Sequence, residues 1–125
     1  VLSLIQITLG TQVRQLIDEI SSSLNHMQRN LWVDLVGTIF KVHRSFAISL
    51  VIINVALFLR NYKLKCRYQL VNFICAVVFL EVLSGIILTY FDMLALMQPI
   101  HLTAASLLFL LQIALYFQLQ KSKSN

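Results

Sequence analysis

The stretch SFAISLVIINVALFL, residues 45–59, carries no charged side chain and is apolar enough to lie in lipid. It is preceded by KVHR, residues 41–44, which places an imidazole and a guanidinium at one end of the apolar run. Ionisable side chains inside a bilayer cost several kcal/mol, so those that occur there are candidates for a functional role. A second histidine, His101, begins a later apolar run that extends to Leu119.

The composition of the whole chain is typical of a membrane protein. Hydrophobic residues make up 58% of the 125 residues and charged residues only 12%, whereas soluble domains have about 25% charged residues. A helix needs about 20 mainly apolar residues to span a bilayer, and three segments meet that need, residues 35–59, 68–91 and 99–120. Residues 1–14 are expected to be the end of a fourth helix, because the chain begins inside an apolar segment without a methionine. The predicted fold class is an all-α integral membrane helical bundle.

Residues 15–34, between the first two apolar segments, are polar and are predicted to form a loop outside the membrane. Leu16, Ile17 and Ile20 fall on one helical face, so we expect a short amphipathic helix within this loop. Trp32 stands near the start of the next apolar segment, where an aromatic residue of the membrane–water interface is expected.

The basic residues are distributed unevenly. Residues 60–67 and 121–125 contain six of the ten Lys and Arg residues and no acid. Because cytoplasmic loops carry an excess of Lys and Arg, we expect residues 60–67 and the C-terminus to face the cytoplasm in a multi-pass protein of the cell (inner or plasma) membrane. The net charge of +5 then reflects topology and membrane lipid, and no nucleic-acid partner is expected.

This topology places the two histidines near the outer ends of their helices. His43 lies 17 residues before Arg60, and His101 lies 20 residues before Lys121. At a rise of 1.5 Å per residue, both imidazoles lie roughly 25 to 30 Å above the inner surface of the membrane. The two side chains can therefore meet at one level.

The residues below each histidine are also matched. Asn54 follows His43 by eleven positions and Gln112 follows His101 by eleven, which is close to a whole number of helical turns. The residues four positions after each histidine are both alanines, Ala47 and Ala105. Matched small and polar residues predict two equivalent faces turned inward, and membrane bundles commonly hold haem between such facing helices. His43 and His101 are therefore the predicted iron ligands of a b-type haem.

Two alternatives stay open on the sequence alone. Either histidine, taken by itself, is more typical of an interfacial residue that is hydrogen-bonded to a backbone carbonyl, and only the matched pair favours haem. Arg44 is a candidate for binding a haem propionate, because its guanidinium fork suits carboxylates. The other interpretation of Arg44 is a side chain that extends to the lipid headgroups.

Three further polar residues have open roles. Glu81 lies within the second span and is either part of a proton relay or, as we favour, a polar contact inside the bundle. Arg14 has the same two interpretations as Arg44, and His26 is expected to be solvated in the loop. Ser84 with Gly85 is expected to allow close approach of two helices.

The two cysteines and two of the methionines are expected to have structural roles. Cys66 and Cys75 lie roughly 13 Å apart along a continuous helix, too far for a disulfide, so both are expected to be free thiols. Met93 and Met97 are predicted to pack in a turn. The sequence contains no phosphate-binding loop, no CxxC and no HExxH motif.

Four stretches resemble one membrane protein family. They are QITLGTQVR at 6–14, VHRSFAI at 42–48, LEVLSGIILTYF at 80–91 and QPIHLTAASLLF at 98–109. Their order and spacing are similar to those of the C-terminal half of haem A synthase, the CtaA/Cox15 family. The resemblance covers nearly the whole chain, and the two histidine motifs together carry it.

The resemblance implies a fold, a reaction and different roles for the two halves of the family's fold. The family fold has eight membrane helices in two pseudo-symmetric four-helix halves, each with a histidine pair. The implied reaction is oxidation of the C8 methyl group of haem O to a formyl group, which gives haem A for terminal oxidases. His43 and His101 match the pair of the C-terminal half, which is expected to hold a b-type haem cofactor. The substrate site belongs to the other half, so no catalytic residue is expected in this one.

The resemblance also implies partners. Haem O is the substrate of the full protein, haem O synthase is a candidate protein partner, and the electron donor is not identified. Some members carry a cysteine pair in an outer loop, and residues 15–34 contain none. The rival hypotheses are a non-catalytic membrane b-type cytochrome that passes electrons to a partner, and a structural or transport bundle without a cofactor.

Overall fold

The computed structural model describes residues 1–64, 68–91 and 93–124. This part of the chain forms five helices, which are α1 (Leu2–Ser23), α2 (Arg29–Val36), α3 (Thr38–Lys63), α4 (Gln69–Tyr90) and α5 (Met97–Ser124). The helices α3, α4 and α5 are each long and apolar enough to cross a membrane. The prediction of an all-α membrane bundle with three full spans is confirmed.

The four long helices form a bundle in which α1 and α4 each pack beside both α3 and α5. The helices α3 and α5 therefore stand diagonally opposite each other, as do α1 and α4. Buried apolar residues from the first half of α4 and from the middle and second half of α5 form a core, which consists of Val71, Ile74, Val78, Leu108 and Leu115. The short helix α2 packs against α1 and α3.

The first helix is longer than the sequence indicated. We expected it to end near Arg14, but α1 continues without a break through Gly10 to Ser23. A single glycine costs a helix only about 1 kcal/mol, and the apolar side chains beyond it repay that cost by packing. Ile17 is buried, and Leu16 and Ile20 pack around it, so the predicted amphipathic face exists as the upper part of α1. The chain turns only after Ser23, where three residues have a positive φ, namely Asn25, His26 and Gln28.

An apolar cluster, here called the outer cap, closes the bundle at the end where α1 meets α2. Its buried members are Val13, Ile17, Trp32, Val36 and Met93. Trp32 is 4% exposed and its indole N–H donates to the carbonyl of Met27 at 2.9 Å. The expectation that Trp32 faces the membrane interface was wrong, because α2 folds back over the bundle and buries the indole. The predicted packing of Met93 in a turn is confirmed.

Several other residues lie in or next to the helices α3, α4 and α5. Arg60 and Lys63 are in the last turn of α3, while Cys66 and the remaining basic residues of that loop lie outside the described residues. Cys75 is a free thiol on α4, as expected. Pro99 lies in the first turn of α5, where its missing N–H is tolerated.

Candidate functional site

The relative height of α3 and α5 is fixed by a hydrogen bond across the bundle. The Gln112 amide N–H donates to Asn54 Oδ1 at 3.2 Å, and Asn54 is 2% exposed. Ser3 of α1 also donates to the Gln112 amide oxygen. Since Asn54 and Gln112 lie the same number of residues below their histidines, His43 and His101 lie at one level about 16 Å higher. The prediction that both matched faces turn inward is confirmed.

His43, on α3, leans against α1. A Cβ atom built on Gly10 would lie 3.3 Å from His43 Cε1, so the ring occupies the space that a side chain at position 10 would fill. The Gln6 amide nitrogen lies 3.1 Å from His43 Nδ1 and 3.4 Å from Nε2. The same amide donates to the backbone carbonyl of His43 at 3.1 Å. Gln6 and Gly10 together hold the imidazole from one side.

His101, on α5, leans against α4 in the same manner. A Cβ atom built on Gly85 would lie 3.5 Å from His101 Cε1. His101 Nδ1 lies 2.8 Å from the Ser84 hydroxyl oxygen and 3.3 Å from Glu81 Oε2. Glu81 is thus a polar contact inside the bundle, as we favoured, and its partner is a predicted ligand.

The residues that contact the two imidazoles share one sequence spacing. Gln6 precedes Gly10 by four residues, and Glu81 precedes Gly85 by four, so each helix presents a polar side chain one turn from the glycine. The side-chain oxygen of Gln6 (Oε1) and the second carboxyl oxygen of Glu81 (Oε1) are both buried and lack a hydrogen-bond partner within the described part of the chain. The helix pairs α1–α3 and α4–α5 are therefore built alike around their histidines.

The donor set of this site fits a haem. His43 and His101 lie at one level on the diagonal helices α3 and α5. Among residues 1–64, 68–91 and 93–124 no group of three or more His, Cys, Asp or Glu side chains could hold a metal ion, whereas zinc takes three or four protein ligands. A haem brings its own equatorial nitrogens and needs only axial ligands from the protein. Two imidazoles on diagonal helices, each resting on a glycine, meet that need.

The other sequence candidates lie apart from the two imidazoles. Arg44 is exposed beside His43 and has no ion pair with the described residues. Arg14 is exposed and lies 3.6 Å from Asp18 one turn away. His26 is exposed, as expected, and its Nδ1 lies 2.7 Å from the Ser21 hydroxyl oxygen.

Sequence reasoning missed Gln6 and Gly10, which the structure places against His43. The spacing that they share with Glu81 and Gly85 was the available signal. It becomes meaningful only once α1 is known to pack against α3 and α4 against α5, which are contacts between distant parts of the chain.

The fold and the site define a class, a multi-pass membrane bundle with two imidazoles facing its interior at one depth. Residues 1–113 match the family model COX15-CtaA, described as cytochrome oxidase assembly protein. The chain belongs to this family, which confirms the resemblance seen in its histidine motifs. No curated protein and no solved structure matches the chain.

Proposed function

We propose that this chain is the C-terminal half of a haem A synthase and that it binds a b-type haem through Nε2 of His43 and Nε2 of His101. The observation that carries the proposal is the level pair of imidazoles on α3 and α5, held in register by the bond between Gln112 and Asn54. When bound, the haem supplies one-electron redox chemistry. His43 and His101 would supply the ligand nitrogens, and the surrounding side chains would supply the packing and the exclusion of water.

Each part of the bundle has a defined role in this proposal. Gly10 and Gly85 leave room for the imidazoles. The outer cap lies about one helical turn from the level of the histidines. On α1, Val13 follows Gly10 by three residues, and on α3, Phe40 precedes His43 by three. This apolar cover separates the imidazoles from the aqueous phase on the outer side. Arg44 is proposed to bind a haem propionate at the edge of the site.

The substrate and the partners belong to the complete enzyme. We propose that haem O is oxidised at its C8 methyl group to the formyl group of haem A, in the half that holds the substrate. Haem O synthase is the proposed supplier of haem O, and a separate electron donor is needed. We also propose that the protein lies in the inner (plasma) membrane with residues 60–67 and the C-terminus in the cytoplasm.

The haem content of cells tests this function directly. The full protein encoded by the gene is expressed in cells that lack haem A synthase but make haem O, and the extracted haems are separated. Formation of haem A, and its loss in the His43→Ala and His101→Ala variants, is the expected result. Accumulated haem O without haem A, from a protein that still binds haem, would favour the non-catalytic cytochrome instead.

A further inference from the structure

A serine is buried beside one of the two imidazoles. Ser84 lies in the middle of an apolar membrane helix, yet it is only 2% exposed. A buried hydroxyl group costs free energy unless it is hydrogen-bonded, and the helix would lose nothing in propensity by carrying alanine there. The position therefore needs an explanation beyond packing.

The hydrogen bonds of Ser84 assign the proton on His101. The Ser84 hydroxyl donates its hydrogen to the backbone carbonyl of Glu81 at 3.1 Å. Because a serine has one hydrogen to donate, its oxygen is then left to accept at the 2.8 Å contact with His101 Nδ1. Glu81 Oε2 lies 3.3 Å from the same nitrogen. This arrangement of hydrogen bonds places the hydrogen on Nδ1 and the lone pair of the neutral imidazole on Nε2.

We propose that Ser84 is a positioning residue, which holds His101 in the Nδ1–H tautomer and so leaves the Nε2 lone pair available to bind the haem iron. This inference rests on the proposed haem site and adds a residue to it. When a histidine binds a metal through one ring nitrogen, a hydrogen bond donated by its other ring N–H fixes the orientation of the ring. It also makes the coordinating nitrogen a better electron-pair donor to the metal. Ser84 would thus strengthen the bond between His101 and ferric iron.

The contact at His43 is of a different kind. The residue that precedes Gly10, as Ser84 precedes Gly85, is Leu9, which has no hydrogen-bonding side chain. His43 Nδ1 faces the Gln6 amide instead, and an amide can present either a donor or an acceptor to a ring nitrogen. The two axial ligands are therefore held unequally, and the tautomer is fixed by a hydroxyl at His101 only.

The test compares two serine variants in the full haem-loaded protein. Ser84→Ala removes the hydroxyl group at His101 Nδ1. Ser106→Ala is the matched control, because Ser106 is exposed and its hydroxyl donates to the Leu102 carbonyl of its own helix at 3.0 Å. Haem transfer to excess apomyoglobin and the haem midpoint potential are measured for both. We expect about 10-fold faster transfer from Ser84→Ala and a higher midpoint potential, because a weaker donor stabilises ferric iron less. Ser106→Ala should match the parent in both.

The outcomes separate this inference from the proposed function. Unchanged transfer and potential in Ser84→Ala would overturn the role of Ser84. Faster transfer at an unchanged potential would also overturn it, since a loss of packing alone does not alter the donor strength of His101. A parent protein without low-spin haem would instead overturn the proposed haem site.

Discussion

At the residue scale, two glycines decide how closely each imidazole approaches its neighbouring helix. The space beside Gly10 is tighter than that beside Gly85, because an added Cβ atom would lie 3.3 Å from the His43 ring but 3.5 Å from the His101 ring. A contact of 3.5 Å is ordinary between carbon atoms, so an added methyl group should fit at position 85. At position 10 the ring of His43 must shift.

The difference predicts unequal effects for two identical substitutions. Gly85→Ala should keep the haem spectrum and gain up to about 1 kcal/mol in stability, because alanine favours the helix. Gly10→Ala should displace His43 and weaken haem retention. Haem transfer to apomyoglobin and thermal unfolding of both variants measure this, and stronger retention by Gly10→Ala than by Gly85→Ala would contradict it.

Arg44 offers a second prediction at this scale. If its guanidinium pairs with a haem propionate, its positive charge opposes the extra charge of ferric iron. Arg44→Gln should therefore lower the midpoint potential and weaken haem retention, while the two histidines remain bound. Lys41→Gln is the control, since Lys41 is also exposed and lies one turn away on α3. A redox titration in which Arg44→Gln equals the parent would leave Arg44 as a residue that contacts lipid headgroups.

At the scale of the elements, α2 is held by one large side chain. Trp32 fills the outer cap between α1 and α2, and the Arg29 guanidinium lies 5.4 Å from the centre of its ring. Removal of a buried tryptophan side chain costs about 3–5 kcal/mol. The cap lies directly above the histidines, so its loss would open the site to water.

Trp32→Ala should therefore let α2 detach locally while the rest of the bundle stays folded. Hydrogen exchange at the α2 amides should become much faster, because local opening requires only the lost cap contacts. Leu31→Ala on the same helix is the control, as Leu31 is 41% exposed. Equal exchange rates in the two variants would show that the cap does not hold α2.

The elements also show how far the sequence determines the fold. Hydropathy predicted α3, α4 and α5 closely, because a span must match the thickness of the membrane. The unbroken continuation of α1 beyond Arg14 and the return of α2 over the bundle were not predicted, since polar residues are compatible with a loop or a helix until packing decides. The spacing of eleven residues predicted that Asn54 and Gln112 lie on faces turned inward. The contacts of the imidazoles with Gly10 and Gly85 were not predicted, because they depend on which helices are neighbours.

At the scale of the whole molecule, the bundle consists of two similar helix pairs. The pair α1–α3 carries Gln6, Gly10 and His43, and the pair α4–α5 carries Glu81, Gly85 and His101, and in both pairs the glycine follows the polar residue by four positions. The site lies between the pairs and needs one ligand from each. Haem binding should therefore stabilise the packing of the two helix pairs against each other, because a ligand that binds only the folded state stabilises that state.

The proposed orientation of the molecule is testable by labelling. In a Cys75→Ser background, Cys66 is the remaining thiol of the sequence and belongs to the basic stretch at residues 60–67. A membrane-impermeant maleimide should not label it in intact cells and should label it after lysis, because Lys and Arg retain that loop in the cytoplasm. Labelling without lysis would reverse the topology.

The visible and electron paramagnetic resonance spectra of the purified protein test the central claim most directly, namely that His43 and His101 together hold one haem. The parent should show a low-spin signal with sharp Soret and α bands, and one haem per chain. His43→Ala and His101→Ala should each lose the low-spin signal, whereas His26→Ala, in the exposed turn, should keep it. A low-spin spectrum that survives in both ligand variants, or a parent that binds no haem, would contradict the claim.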